Sequence, residues 1–297
     1  MAPLISIPCM PALSAIYYAL LQRGYEPQYY AVGKPPKLAA EVAAFRRAAP
    51  DIDLAFFSQV RQSTCQVYPY WPRAALLEIA VFYLEADYTR FAAFDGYRRQ
   101  VMAAPNLAPE ERDDAFWRWV SGFPPALAGV LASREFQDYL RWEERWLAAQ
   151  REALAPEIER LANLLDACVN AYRVPLQQVS LFLSPIKCAW SSDHHWDGSR
   201  FWFSSGRFQP DSVVHEYLHR VVHPALAGYR DKILSRRAPL PGIDPSYYLS
   251  GGPEGSLNAF EEYAVRALTQ KVSAGSFPDL SRFLEGLWAG LPPSAPL

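Results

Sequence analysis

Residues 211–223 read Asp-Ser-Val-Val-His-Glu-Tyr-Leu-His-Arg-Val-Val-His, and within them His215, Glu216 and His219 stand in HExxH spacing. On an α-helix, side chains four residues apart share a face about one turn from each other. Two imidazoles set that way can hold one Zn2+, and the glutamate beside the first can take a proton from the water that such an ion activates. The chain has five histidines, and three fall in this segment. For this composition a chance HExxH is expected on the order of a percent or less. The flanks suit a buried helix: Val213, Val214, Leu218, Val221 and Val222 are apolar, and Pro224 marks its expected end. Arg220 sets a charge directly after the second histidine, in the middle of this apolar pattern. A snorkelling side chain at the helix edge would accommodate it.

A zinc site that does chemistry needs a third protein ligand and an open fourth position. His223 lies eight residues after His215, about 12 Å along the helix and rotated by roughly 80°, too far for one metal on a continuous helix. It reads instead as a cation at the helix C-terminus, where it complements the dipole. The better candidates are acidic and downstream. Residues 256–272 form a second helical pattern after a Gly251-Gly252-Pro253 break, and carry Glu261 and Glu262. Asn258 and Glu261 have capping-box spacing, an ordinary structural task. Glu262 shares a helix face with Arg266 and Thr269, while Glu261 falls nearer the Leu257, Ala264 and Leu268 stripe, where a buried carboxylate would want a metal. Glu262 is favoured as ligand and Glu261 stays open. Glu262→Ala should then weaken zinc binding, and Glu261→Ala mainly trim helix stability.

These features resemble the gluzincins, zinc metallopeptidases with HExxH on one helix and a glutamate ligand on the next. The resemblance covers about residues 176–270. Upstream, the run Trp196 to Gly206 is similar to the aromatic edge strand and glycine turn of thermolysin-like enzymes, where that strand lies beside the cleft and pairs with substrate. On the ligand helix the family pattern is Asn-Glu-x-x-Ser-Asp, and Glu261, Glu262, Val265 and Arg266 occupy its slots here. The glutamate carries over. The aspartate that orients a zinc histidine does not, because arginine accepts no hydrogen bond. The run from Glu262 to Leu268 also resembles uncharacterised bacterial HExxH domains.

Such a site must be positioned by a folded scaffold, and 297 residues can bury a large core. Apolar residues make up 51% and charged residues 20%, a globular composition. The net charge of −2 shows no basic excess, which argues against nucleic acid and anionic membranes as partners, and the gluzincin resemblance implies a peptide or protein substrate. The oligomeric state stays open. Residues 1–11 lack a basic start and contain three prolines, a poor signal peptide, and the apolar stretch 12–21 is too short for a membrane span. Cys9, Cys65, Cys168 and Cys188 show neither metal nor scaffold spacing and read as reduced thiols, so the expected location is cytoplasmic.

The pattern divides near residue 150. Residues 1–150 read as helices over 12–22, 36–49, 74–86, 88–103, 109–122 and a long run from Pro125, with Glu143 and Glu144 on a solvated face. Residues 151–297 read as a helix over 156–172, strands at 179–183 and 200–204, a polar loop 191–198 holding His194 and His195, the HExxH helix, and the ligand helix. The expected class is α+β with helix dominating: a helical N-terminal region, then a zincin-like catalytic region.

The chemistry expected is hydrolysis of a peptide bond. Zn2+ is the cofactor, His215, His219 and Glu262 its ligands, and Glu216 the general base. The oxyanion needs a further donor, for which Tyr248 is chosen from Tyr247, Tyr248, His194 and His195 in flanking loops. The alternatives are a zinc-binding, catalytically inactive interaction protein and a structural helical protein with an accidental motif.

Overall fold

The computed structural model describes residues 2–24, 34–47, 52–60, 71–92, 94–103, 114–187, 189, 192–236, 238–249 and 254–292. After β1 (Leu4–Ser6) come α1 (Pro11–Gln22), α2 (Pro36–Arg47), α3 (Trp71–Phe82), α4 (Phe94–Ala103), α5 (Asp114–Ser121), α6 (Phe123–Ala132) and α7 (Arg134–Tyr172). Then follow β2 (Gln178–Leu183), β3 (Ser192–Asp197), β4 (Arg200–Ser205), α8 (Pro210–Ala225), α9 (Arg230–Ser235), α10 (Ser246–Leu249), α11 (Gly255–Ser273) and α12 (Leu280–Ala289). The chain is α+β and helix-dominated, as its patterning predicts.

One sheet lies at the centre, in the order β1-β2-β4-β3. β1 and β4 flank β2 in parallel, and β3 runs antiparallel to β4 at the edge. Strand side chains alternate between faces, and the two faces meet different cores. Val179, Leu181, Leu183, Phe201 and Phe203 pack with α8 and α11, whereas Phe182 and Trp202 face the cluster built on α1. The sheet therefore divides the helical first part of the chain from the helices that carry the candidate site.

Within the segment expected as a polar loop, 191–198, Ser192–Asp197 form the edge strand β3. Asp197 pairs with Arg200 across a two-residue turn, where Gly198 has φ +57°. Asp-Gly between alternating residues is a strong hairpin signal, and glycine takes the positive φ without strain. The strand at 200–205 is consequently internal, hydrogen-bonded on both sides, and it is residues 192–197 that border the HExxH helix. A buried ionic cluster anchors β3 from behind. Asp193 Oδ1 meets Arg73 Nη2 at 2.8 Å, and its Oδ2 meets Lys187 Nζ at 2.5 Å and the Tyr17 hydroxyl at 2.9 Å. Burial opposes ionisation of Asp193, but Arg73 and Lys187 outweigh it and hold the carboxyl far below the usual range.

The helices expected from Pro125 onward and over 156–172 are mostly one. α7 runs unbroken through Pro156 for 39 residues, about 58 Å, from a Ser133 cap to Arg173 at φ 60°. Pro156 removes one backbone donor, but its surroundings are exposed and the freed Glu152 carbonyl can meet water. The expected boundary near residue 150 falls inside this helix, and β1 contributes residues 4–6 to the sheet of the second half, so the two regions share both elements. Two further readings are corrected. Glu143 is fully buried rather than solvated, with Oε1 accepting from the Tyr139 hydroxyl at 2.7 Å. Residues 83–92 are not helical: Asp87 accepts from Thr89 N and Oγ1 in a tight turn, and Leu84 bridges Phe91.

Cys9 and Cys168 are free thiols, while Cys65 and Cys188 lie outside the described residues. So do the Gly251-Gly252-Pro253 break, the start of the 109–122 segment and the tail beyond 292. Among the described residues no helix is long and apolar enough to cross a membrane.

Candidate metal centre

Helix α8 opens with Pro210 at its first turn and Asp211 beside it, where a fixed φ and a negative charge both favour a helix start. Val213, Val214, Tyr217, Leu218, Val221 and Val222 are buried, and this apolar face fixes the rotation of the helix. His215, Glu216 and His219 are left half-buried on the side turned to β3 and α11. Arg220 explains its own position. Its guanidinium lies 4.5 Å from the centroid of the Trp196 ring and donates to Gly198 O at 2.6 Å, clasping the β3–β4 turn against α8.

Helix α11 packs along α8. It starts four residues earlier than a capping box at Asn258 requires, with Glu254 as cap residue, so Glu261 sits in the helix body and has no capping task. Gly255 permits the close approach of α10, since a Cβ there would fall 1.7 Å from Tyr248 O. Glu262 lies on the buried stripe with Ala259, Phe260 and Val265.

Three ligand atoms converge between the helices. His215 Nε2 and His219 Nε2 are 3.2 Å apart, and Glu262 Oε2 lies 3.4 Å from each. The carboxylate contacts are long for hydrogen bonds, where about 2.7–3.2 Å is normal. They match the edge of a tetrahedron: metal bonds of about 2.0–2.1 Å from nitrogen and oxygen put neighbouring donor atoms about 3.3–3.4 Å apart. The donor set therefore fits a zinc ion. His219 Nδ1 stands 2.8 Å from Glu261 Oε1, so in the neutral ring that a metal would bind, the proton would sit on Nδ1 and leave the Nε2 lone pair for the ion. The other oxygen of Glu261 meets His223 Nδ1 at 2.7 Å, on a ring that is 74% exposed. His223 stays outside the ligand triangle, as its helix position predicts, but it engages Glu261 as well as the helix end.

Glu216 is held by the edge strand. His194 Nδ1 approaches its Oε2 at 2.8 Å, and the Ser192 hydroxyl donates to its Oε1 at 2.9 Å. Ligand-type atoms of His215, Glu216 and His219 all lie within 4.8 Å of one another. Burial raises the cost of ionising Glu216, yet His194, then His219 and His215, outweigh it and hold its pKa down to about 2. Burial likewise opposes charge on His219, while Glu261 and Glu262 lift it to about 10. Glu261 is held down to about 2 against burial by His219 and His223, and Glu262 lies well below the carboxylate range beside His215 and His219. Three carboxylates gathered here call for positive charge at their centre, supplied either by imidazolium protons or by a cation.

The structure thus brings together His215, Glu216, His219 and Glu262 with two residues the sequence held as alternatives, Glu261 and His194, and adds Ser192. It does not bring His195, whose Nδ1 faces Glu78 at 3.5 Å on the opposite side of the sheet. Nor does it bring Tyr248, and this corrects its expected place at the site: the Tyr248 hydroxyl accepts from Leu240 N at 2.6 Å and the ring lines a small cavity with Phe260 and Trp288. Successive helical residues point about 100° apart, so it is Tyr247 that reaches the Glu262 carboxylate and the Arg266 guanidinium. Burial and Glu262 push the Tyr247 hydroxyl pKa upward. Arg266 Nε donates to Glu262 Oε1 at 2.6 Å and Nη1 to Gly242 O at 3.0 Å, fixing the carboxylate from behind. Compared with known proteins, the chain matches no family model, no curated protein and no solved structure.

Proposed function

We propose that this chain is a zinc-dependent hydrolase of peptide bonds, built on gluzincin lines. The observation that carries the reading is the triangle of His215 Nε2, His219 Nε2 and Glu262 Oε2 with tetrahedral edges, beside an ionised Glu216 that is not part of it. These three side chains would hold Zn2+, which supplies a Lewis acid that makes water more acidic and polarises a carbonyl. Glu216 is the group to hold the proton taken from water and to deliver it to the leaving amine. His194 and Ser192 keep its two oxygens aimed, and each oxygen retains a lone pair for water. Tyr247 takes the role first given to Tyr248, as hydroxyl donor to the developing oxyanion.

The test joins metal content to turnover. Purified protein should carry about one Zn2+, lost to a chelator, and His219→Ala should abolish tight binding. Glu216→Gln keeps the size and most hydrogen bonds but removes the base, so zinc and fold should persist while cleavage of a broad peptide mixture falls about a hundredfold or more. Equal cleavage by both proteins would remove Glu216 from the mechanism. Bound zinc with no cleavage in either would favour an interaction protein.

A further inference from the structure

A groove of about 380 Å3 opens onto His215 and Glu216 between α8 and α11. Its other walls, among the described residues, are Ser192, Asp211, Ser212, Arg266, Thr269 and Gln270. All six are polar. The apolar residues of the same helices, Val213, Val214, Val265 and Leu268, are turned into the core, so the apolar surface of the groove comes from the carbon stems of polar side chains whose heads a ligand would meet. We propose that this groove is the subsite for the substrate side chain next to the cleaved bond, and that it selects an uncharged hydrogen-bonding side chain, a carboxamide or a hydroxyl.

The choice among polar side chains follows from what the walls already bind. Asp211 and Arg266 oppose each other in sign, and the Glu216 carboxylate at the inner end is already engaged by Ser192 and His194, so no wall charge is left open to draw a charged group. Asp211 Oδ1 accepts from the Ser273 hydroxyl at 2.9 Å, and Arg266 is engaged by Glu262 and Gly242. Thr269 spends its proton on Val265 O at 2.8 Å, which makes its oxygen an acceptor towards a ligand. The Gln270 amide brings both donor and acceptor. A carboxamide matches such mixed walls with its own donor and acceptor. A leucine or phenylalanine side chain would strip water from these groups and return no hydrogen bond.

This inference rests on the proposed open zinc centre, and the experiment separates the two. The zinc-loaded protein is titrated calorimetrically with acetohydroxamate, which has a metal-binding group and no side chain. A series of N-acetylamino-acid hydroxamates follows, bearing glutamine, serine, leucine, phenylalanine, glutamate or lysine side chains. Glutamine and serine compounds should bind about tenfold more tightly than leucine and phenylalanine compounds. A Thr269→Val, Gln270→Leu double variant should erase that order, with zinc content and acetohydroxamate affinity as controls for an intact centre. Tightest binding by the leucine, phenylalanine, glutamate or lysine compound would overturn the subsite while leaving the metal reading standing. No binding of acetohydroxamate to zinc-loaded protein would overturn the open centre and the subsite with it.

Discussion

Removing the Glu261 carboxylate should weaken zinc binding without removing a ligand. Sequence reading alone assigns Glu261→Ala a loss of helix stability, but the structure gives it a different consequence. Its Oε1 accepts from His219 Nδ1 at 2.8 Å, in a pair whose side chains are 24% and 14% exposed. Without that acceptor the imidazole is free to rotate and to exchange tautomers, and part of its population presents a proton instead of a lone pair to the metal. Loss of an outer partner of this kind typically lowers metal affinity about 10–100-fold, or about 1.4–2.8 kcal/mol. A charge-assisted hydrogen bond contributes about 1.5–3 kcal/mol, so the two figures agree. The second arm of Glu261 is worth less. His223 is 74% exposed, and a solvent-screened pair of this type contributes about 0–1 kcal/mol, so His223→Ala should change affinity by less than about fivefold.

Competition with a chromophoric chelator at fixed pH gives the affinities, and melting of the metal-free proteins reports fold stability separately. The expected order of damage is Glu262→Ala, then Glu261→Ala, then His223→Ala. Glu261→Ala with an affinity within twofold of the parent would refute the orienting role. His223→Ala as damaging as Glu261→Ala would show that the exposed arm governs the centre.

Three further outcomes are expected. Burial raises the Glu143 pKa from its ordinary 4.5 to about 7, so the folded state holds a proton that the unfolded chain releases. The stability this confers is complete below pH 4.5 and is lost as pH rises to 7, by up to about 3 kcal/mol, and Glu143→Gln should flatten that part of the pH–stability curve in denaturant melts. Asp193→Asn leaves Arg73 and Lys187 buried without their counter-charge and should destabilise the fold by about 3–5 kcal/mol, measured by urea unfolding; a change under 1 kcal/mol would mean the cluster relaxes into water. Tyr247→Phe should slow peptide cleavage at least tenfold with zinc retained, whereas Tyr248→Phe should lower stability by about 1 kcal/mol and leave turnover alone; the reverse assignment in a turnover assay would restore Tyr248 to the site.

Local rules made much of the site legible. The HExxH spacing fixes which three side chains share a helix face, because helix geometry alone relates residues 215 and 219. The α+β class and most helices are readable from the 3.6-residue period for the same reason. The errors arose where polar composition was weighed above periodicity. Ser-Asp-His-His-Trp-Asp looks like a loop by content, yet it alternates, and Asp197-Gly198 is a hairpin signal. Read as a strand, the alternation separates the histidines without further information: His194 and Trp196 go to the α8 face, and Asp193 and His195 to the other. Glu143 was missed because its burial depends on the packing of α7 against α1, which no local pattern encodes.

The partners of the proposed metal ligands are beyond reach of the sequence for a geometric reason. In the family pattern an aspartate four residues after the glutamate orients a zinc histidine, and Arg266 holds that place here. Residues 262 and 266 share one line along α11, so Arg266 turns its Nε to the Glu262 carboxylate at 2.6 Å and away from His219. The acceptor that His219 needs comes instead from Glu261, about 100° round the helix. Whether residue 261 or residue 266 faces His219 depends on how far α11 is rotated about its axis against α8. That rotation is set by Ala259, Phe260, Val265 and Leu268 in the core and by the contact of Gly255 with the Tyr248 backbone. A substitution that rotates α11, such as Gly255→Ala, should therefore disturb both carboxylates together although it touches neither.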